Sequence, residues 1–314
     1  MAQGRIERSL SLAGSIYRSV VAGAQEWAGV LRAAINSWLG DRAPSMGAAI
    51  AYYTVFSLAP VLILVIAVAG LAFGQRAAEG ALFDQIAALV GNESAGAIQA
   101  MLRSASGTSS GIIATLVGLG ALVIAATGVF GELQAAFNVI WKAQPAKGAG
   151  MRNLVKVRLR SLLLIMAIGL LLMLSLALGT ALAALSAYLE RVLPGLPLIL
   201  GVLNFVFSLA VTTVMFALMF RILPDAGVEW PDVWIGAAAS ALLFTIGRHF
   251  ISLYIGSSGV TSTYHAAGAL VLILVWIYYS AQIVLFGAEL AKAYGDRRRA
   301  KRIARHEPPA AAGQ

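Results

Sequence analysis

Cysteine is absent from the chain, and histidine occurs only at His249, His265 and His306. The first absence excludes a disulfide framework and thiolate metal sites; the scatter of the second leaves no imidazole cluster to hold a metal. Charge is scarce as well, at 12% of residues against 60% hydrophobic. A chain of that composition lacks the polar groups needed to cover the outside of a soluble globule. Acids are the scarcer sign, 14 against 23 basic residues, and most stand alone or in connectors. No nucleophile, base and orienting group occur together at usable spacing, so neither an enzyme nor a cofactor is expected.

What is present is a set of long apolar runs. Six of them, each near the length that crosses roughly 30 Å of hydrocarbon, lie at Met46–Phe73, Gly111–Trp141, Val155–Leu185, Leu198–Arg221, Val233–Ile255 and Ala266–Ala293. The expected fold is an all-α polytopic membrane protein with six transmembrane helices. The stretch holding Lys142, Lys147, Arg152, Lys156, Arg158 and Arg160 carries no acid, which marks it as retained in the cytoplasm. The end of the chain, with Lys292, Arg297, Arg298, Arg299, Lys301, Arg302 and Arg305, follows the same rule, so both termini are expected to be cytoplasmic. Asp225, Glu229 and Asp232 form an acidic connector that fits this frame poorly. Retention and attraction to anionic lipid account for the net charge of +9 without nucleic acid as a partner.

Three units follow: a segment 1–44, a membrane domain 45–294, and a basic tail 295–314 expected to be disordered. In the first, Ile6, Leu10, Tyr17, Trp27, Leu31, Ile35 and Trp38 recur every three or four residues with arginines between them. Such an amphipathic helix either lies along the inner membrane surface or packs on the ends of the spans. It lacks the continuous apolar core of a cleavable signal. Between the first two spans, residues 80–104 read as a short extracytoplasmic helical hairpin broken at Gly91, which either packs on the bundle or covers the mouth of a cavity.

Polar groups inside the runs are the candidate sites, because each costs about 2.5 kcal/mol or more near a span centre. Arg248 is placed to face a wet cavity and grip a phosphate or carboxylate, or else to snorkel outward, with His249 beside it. Glu132 and Asn138 form a polar strip near the inner mouth, where Glu132 either binds a coupling cation or pairs with Lys142, Arg158 or Arg221. Gln282 and Glu289 continue a polar line in the last run, and Lys292 is a helix-surface partner for Glu289. Tyr52, Tyr53 and Pro60 lie in the first run; the proline frees a carbonyl and either kinks the helix structurally or opens it toward a cavity. Gly118, Gly120, Gly128, Gly131 and Gly236 permit close helix approach.

Four blocks carry a resemblance: Ala48 to Thr54 running into Ser57-Leu58-Ala59-Pro60; Gly128 to Trp141 with its Phe137-Asn138-Val139-Ile140-Trp141 end; Leu223-Pro224 to Trp234 followed by Gly236-Ala237; and Ala269 to Tyr279 running on to Gly287-Ala288-Glu289-Leu290. In this order they resemble the YihY family, also called the virulence factor BrkB family and once labelled ribonuclease BN. One departure is Tyr264-His265, where a Tyr-Gly pair would open the last block. The resemblance implies a six-helix protein of the bacterial inner membrane with both ends inside. From the residues, the expected function is a transporter or flippase-like protein for an amphipathic or anionic substrate of the lipid or envelope-precursor class. The alternative is a non-catalytic scaffold that recruits partners or anionic membrane lipids. Nothing in the sequence fixes the oligomeric state.

Overall fold

A computed structural model describes residues 3–90, 95–96, 98–100, 102, 120, 128–143, 151–189, 196–258 and 261–306. The described residues are helical, without strands. In chain order the helices are α1 (Gln3–Gly40), α2 (Ala43–Phe73), α3 (Gln75–Val90), α4 (residues 128–140), α5 (Met151–Leu189), α6 (Leu196–Ile222), α7 (Trp230–Ser258) and α8 (Thr261–His306). The expected span Gly111–Trp141 lies largely outside the described residues, apart from its helical end in α4.

Among the described residues three helices are long and apolar enough to cross a membrane, over Ile199–Ile222, Trp230–Phe250 and Ile273–Ala304. The exposed faces of α5 and α6 carry Leu163, Leu170, Leu174, Ile199, Val202, Leu203, Phe205 and Val206. Such a surface belongs against acyl chains, since water would drive it to aggregate.

Turn chemistry sets the element ends. Arg42 takes the left-handed conformation (φ 56°) between α1 and α2, and Pro44 opens α2 where its missing N–H costs nothing. Gly74, at φ 85°, ends α2 and donates to the Gly70 carbonyl at 2.9 Å. There α3 begins, and it folds back against the far half of α2. Pro231 and Asp232 open α7, the proline freeing no donor and the carboxylate facing the positive end of the helix dipole.

Packing follows the chain: α5 on α6, α6 on α7 and α7 on α8, with α2 against α8 and α5, and α1 against α8. In lipid there is little hydrophobic drive between helices, so contact quality decides. Gly236 and Gly287 let α7 and α8 meet backbone to backbone: a Cβ on Gly236 would strike the Gly287 carbonyl, and one on Gly287 would strike the Ser240 hydroxyl. Ser240 donates across the crossing to the Ile283 carbonyl at 3.3 Å. Beside this seam an aromatic ladder climbs through the core. Phe137 meets Phe220 edge to face at 5.6 Å, Phe216 meets Phe244 at 6.0 Å, and Phe244 meets Trp276 at 5.3 Å.

At the ends, one expectation changes and one of two alternatives is taken. Residues 295–306, read from sequence as a disordered tail, continue α8 as helix; 307–314 lie outside the described residues. The second half of α1 packs antiparallel on that extension, with Val30 and Ala34 buried against Leu290. The sequence shows a basic, solvated run, but it cannot show that Glu26, Glu229 and Asp232 stand ready to hold it.

Candidate functional site

One end of the bundle gathers the charges; it is called the basic end below. Asp232, buried at 3% exposure, accepts from Arg298 at 3.1 Å and Arg299 at 3.3 Å. Glu229 lies 3.5 Å from Arg298. Asp225, in the turn between α6 and α7, is gripped from α4: Asn138 donates to its carboxylate at 2.9 Å and accepts from its backbone N–H at 2.9 Å, while Gln134 donates at 3.1 Å. The acidic connector that fits the charge rule poorly is thus the counterion of the basic end. Asn138 is engaged at both ends of its amide, and Glu132, six residues earlier in α4, is half-buried.

Deeper along α8 the polar groups are less well served. Glu289 is buried at 1% exposure with the Asp41 carboxyl in hydrogen-bonding reach, and no amide, hydroxyl or basic side chain among the described residues donates to either of its oxygens. The charged groups bearing on it are Asp41, Lys292 and Lys142. Gln282, two turns away, gives its amide weakly to the Ala43 carbonyl at 3.5 Å and fills the space that the absent side chain of Gly47 leaves. Its Oε1, Asp41 Oδ2 and Trp38 Nε1 are buried without partners among the described residues. Buried, unsatisfied polar atoms are costly, by about 1–3 kcal/mol each. Their concentration where α1, α2 and α8 meet marks a place whose arrangement is not set by stability alone.

The opposite end contains an apolar cavity of about 520 Å³ between the far half of α2 and the short helices that follow it. Leu62, Ile63, Ile66, Leu82, Phe83 and Ile86 wall it, with Ile98 and Leu102 closing one side and Gln75, Glu79 and Gln99 as its polar members. That volume is in the range of small-molecule sites. Of the two readings of this segment, packing on the bundle is the one seen: Leu82 and Ile86 join the cluster of Leu62, Ile98, Ile273 and Trp276, and both also line the cavity.

The remaining candidates are dispersed. Arg248 and His249 are exposed on α7. Tyr52 and Tyr53 are exposed on α2, at 59% and 44%, and touch edge to face at 5.7 Å, with Phe56 beside Tyr52 at 4.8 Å. α2 runs through Pro60 as one helix; the proline side chain lies outside the described residues. Among the described residues no group of three or more His, Asp or Glu side chains could hold a metal.

Apolar helices of membrane-crossing length, an acyl-compatible outer surface and buried ionisable groups define an integral membrane protein. Residues 34–312 match the family model for virulence factor BrkB, and the chain belongs to that family. It is similar to a UPF0761 membrane protein of Rhodospirillum centenum, 28% identical over 87% of this chain and 59% of the relative. It is also similar to one of Pseudomonas aeruginosa, 29% identical over 81% and 60%, and one of Ralstonia nicotianae, 28% identical over 80% and 55%. The chain spans about 60% of the length of the first two of these curated relatives. No solved structure matches it.

Proposed function

We propose that the protein moves an amphipathic, anionic lipid-class substrate between the two faces of a bacterial inner membrane, crossing it six times with both termini in the cytoplasm. The observation that carries this reading is the cavity of about 520 Å³, apolar-walled with three polar members, beside the far half of α2. Apolar walls suit an acyl chain, and the amides of Gln75 and Gln99 suit the glycerol and ester oxygens, with Gln75 also donating to Glu79 at 3.2 Å. Glu289 is the buried ionisable group suited to sense substrate charge or a coupling cation, a role the sequence offers to Glu132 instead. The topology draws support from the joint packing of α1, the Lys142 region, the α6–α7 turn and the end of α8 at the basic end, which is the side that cytoplasmic retention favours.

The test is reconstitution into vesicles with a fluorescent acidic phospholipid and quenching from outside. The parent is expected to move lipid faster than protein-free vesicles, and Leu82→Trp or Ile63→Trp, which fill the cavity, to slow it about tenfold. Parent rates equal to protein-free vesicles overturn the function, and rates untouched by both fillings overturn the cavity assignment.

A further inference from the structure

α1 carries two apolar stripes, one buried against α8 and one largely exposed. Val30 and Ala34 are buried against α8. Trp27, Leu31, Ile35 and Leu39, four residues apart, are 51%, 46%, 42% and 58% exposed. Trp27 also forms the floor of a second cavity, about 560 Å³, lined by Glu26 and Val30 of α1 and by Tyr294, Arg297, Arg298, Lys301 and Arg302 of α8. Its indole stacks on the Tyr294 ring, with centroids 5.9 Å apart and planes 9° off parallel.

Four cations face one carboxylate in this groove. Glu26 engages Arg297 through its carboxylate at 3.3 Å and its backbone carbonyl at 2.6 Å, and it also pairs with Lys301. Arg298 reaches out of the groove to Asp232 and Glu229. The Lys301 side chain remains 57% exposed, and Arg302 is exposed beside it. A phosphate suits the excess positive charge. Indole and phenol rings settle where headgroups meet acyl chains, and the exposed stripe running on from Trp27 offers those chains a surface.

We propose that the α1–α8 groove is a headgroup site for an acidic phospholipid of the surrounding leaflet, with the acyl chains lying along Leu31, Ile35 and Leu39. The site stands at the opposite end of the bundle from the α2–α3 cavity, so it holds lipid as an anchor for α1 whether or not the protein transports anything. A free phosphate shares the groove's charge chemistry but leaves the apolar stripe without an occupant.

Native mass spectrometry of the full chain, titrated with phosphatidylglycerol, phosphatidylcholine or inorganic phosphate, tests this. The parent is expected to retain phosphatidylglycerol preferentially. The K301Q/R302Q variant should lose affinity for it on the order of thirtyfold while keeping its affinity for phosphatidylcholine, and K301R/R302K should keep the preference. Leu31→Gln with Ile35→Gln should weaken both lipids. Undiminished phosphatidylglycerol binding by K301Q/R302Q overturns the headgroup site. Millimolar phosphate displacing the lipid, together with stripe variants that bind like the parent, identifies a soluble-anion site and overturns the lipid assignment.

Discussion

The two ends of the bundle solve the problem of polar groups in opposite ways. At the basic end Asp225 and Asp232 are held by side chains from α4 and α8, and α7 and α8 touch through glycine. At the α3 end the helices enclose space walled by aliphatic side chains. Asn138, Gln134 and Asp232 serve as fasteners between elements. Residues with unmet partners, Glu289 above all, are the exceptions that ask for a functional reason.

Four substitutions sharpen or break that contrast. Gly287→Leu should have the largest effect, about 3 kcal/mol or more, because the side chain enters the Ser240 hydroxyl and the Gly236 carbonyl with no room to yield. Loss of the monodisperse peak in size-exclusion chromatography reads it, and a normal peak would show that the seam is loose. Asn138→Ala removes two bonds to Asp225 and should cost about 1–3 kcal/mol, seen as a lower Tm in detergent. An unchanged Tm would return Asn138 to the list of cavity residues.

Glu289→Gln should behave in the opposite sense, leaving Tm unchanged or raised by up to about 1 kcal/mol equivalent, since the amide brings a permanent donor toward the Asp41 carboxylate in the same space. Lipid movement should fall with it. A loss of stability matching Asn138→Ala would make Glu289 another fastener. Arg248→Gln, at an exposed position, should shift stability by no more than about 0.5 kcal/mol, and a larger drop would reveal a buried partner in the membrane.

These distinctions follow the range of the interactions. Apolar run length is a local property, and it places the runs near 198–221 and 233–255 close to where α6 and α7 form. Periodicity likewise marks α1, yet it cannot separate a stripe that packs from one that faces lipid; the structure shows Val30 and Ala34 doing the first while Leu31 and Ile35 are exposed. The partner of Asn138 lies 87 residues away, and no spacing rule links them. Nor does the sequence distinguish Glu132, half-buried, from Glu289, enclosed among Leu285, Ala288 and Leu290, because both sit on helices with apolar neighbours. The acidic connector is the clearest case: an anomaly when read as topology, it becomes intelligible once the arginines of α8 stand opposite.

The most direct measurement is photolabelling of the reconstituted protein with an acidic phospholipid carrying a photoreactive group on its acyl chain, mapped by peptide mass spectrometry. Adducts concentrated on residues 62–71 and 82–86, and displaced by Leu82→Trp, are the expected result. Adducts confined to the outer faces of α5 and α6, with none on those stretches, would contradict the account.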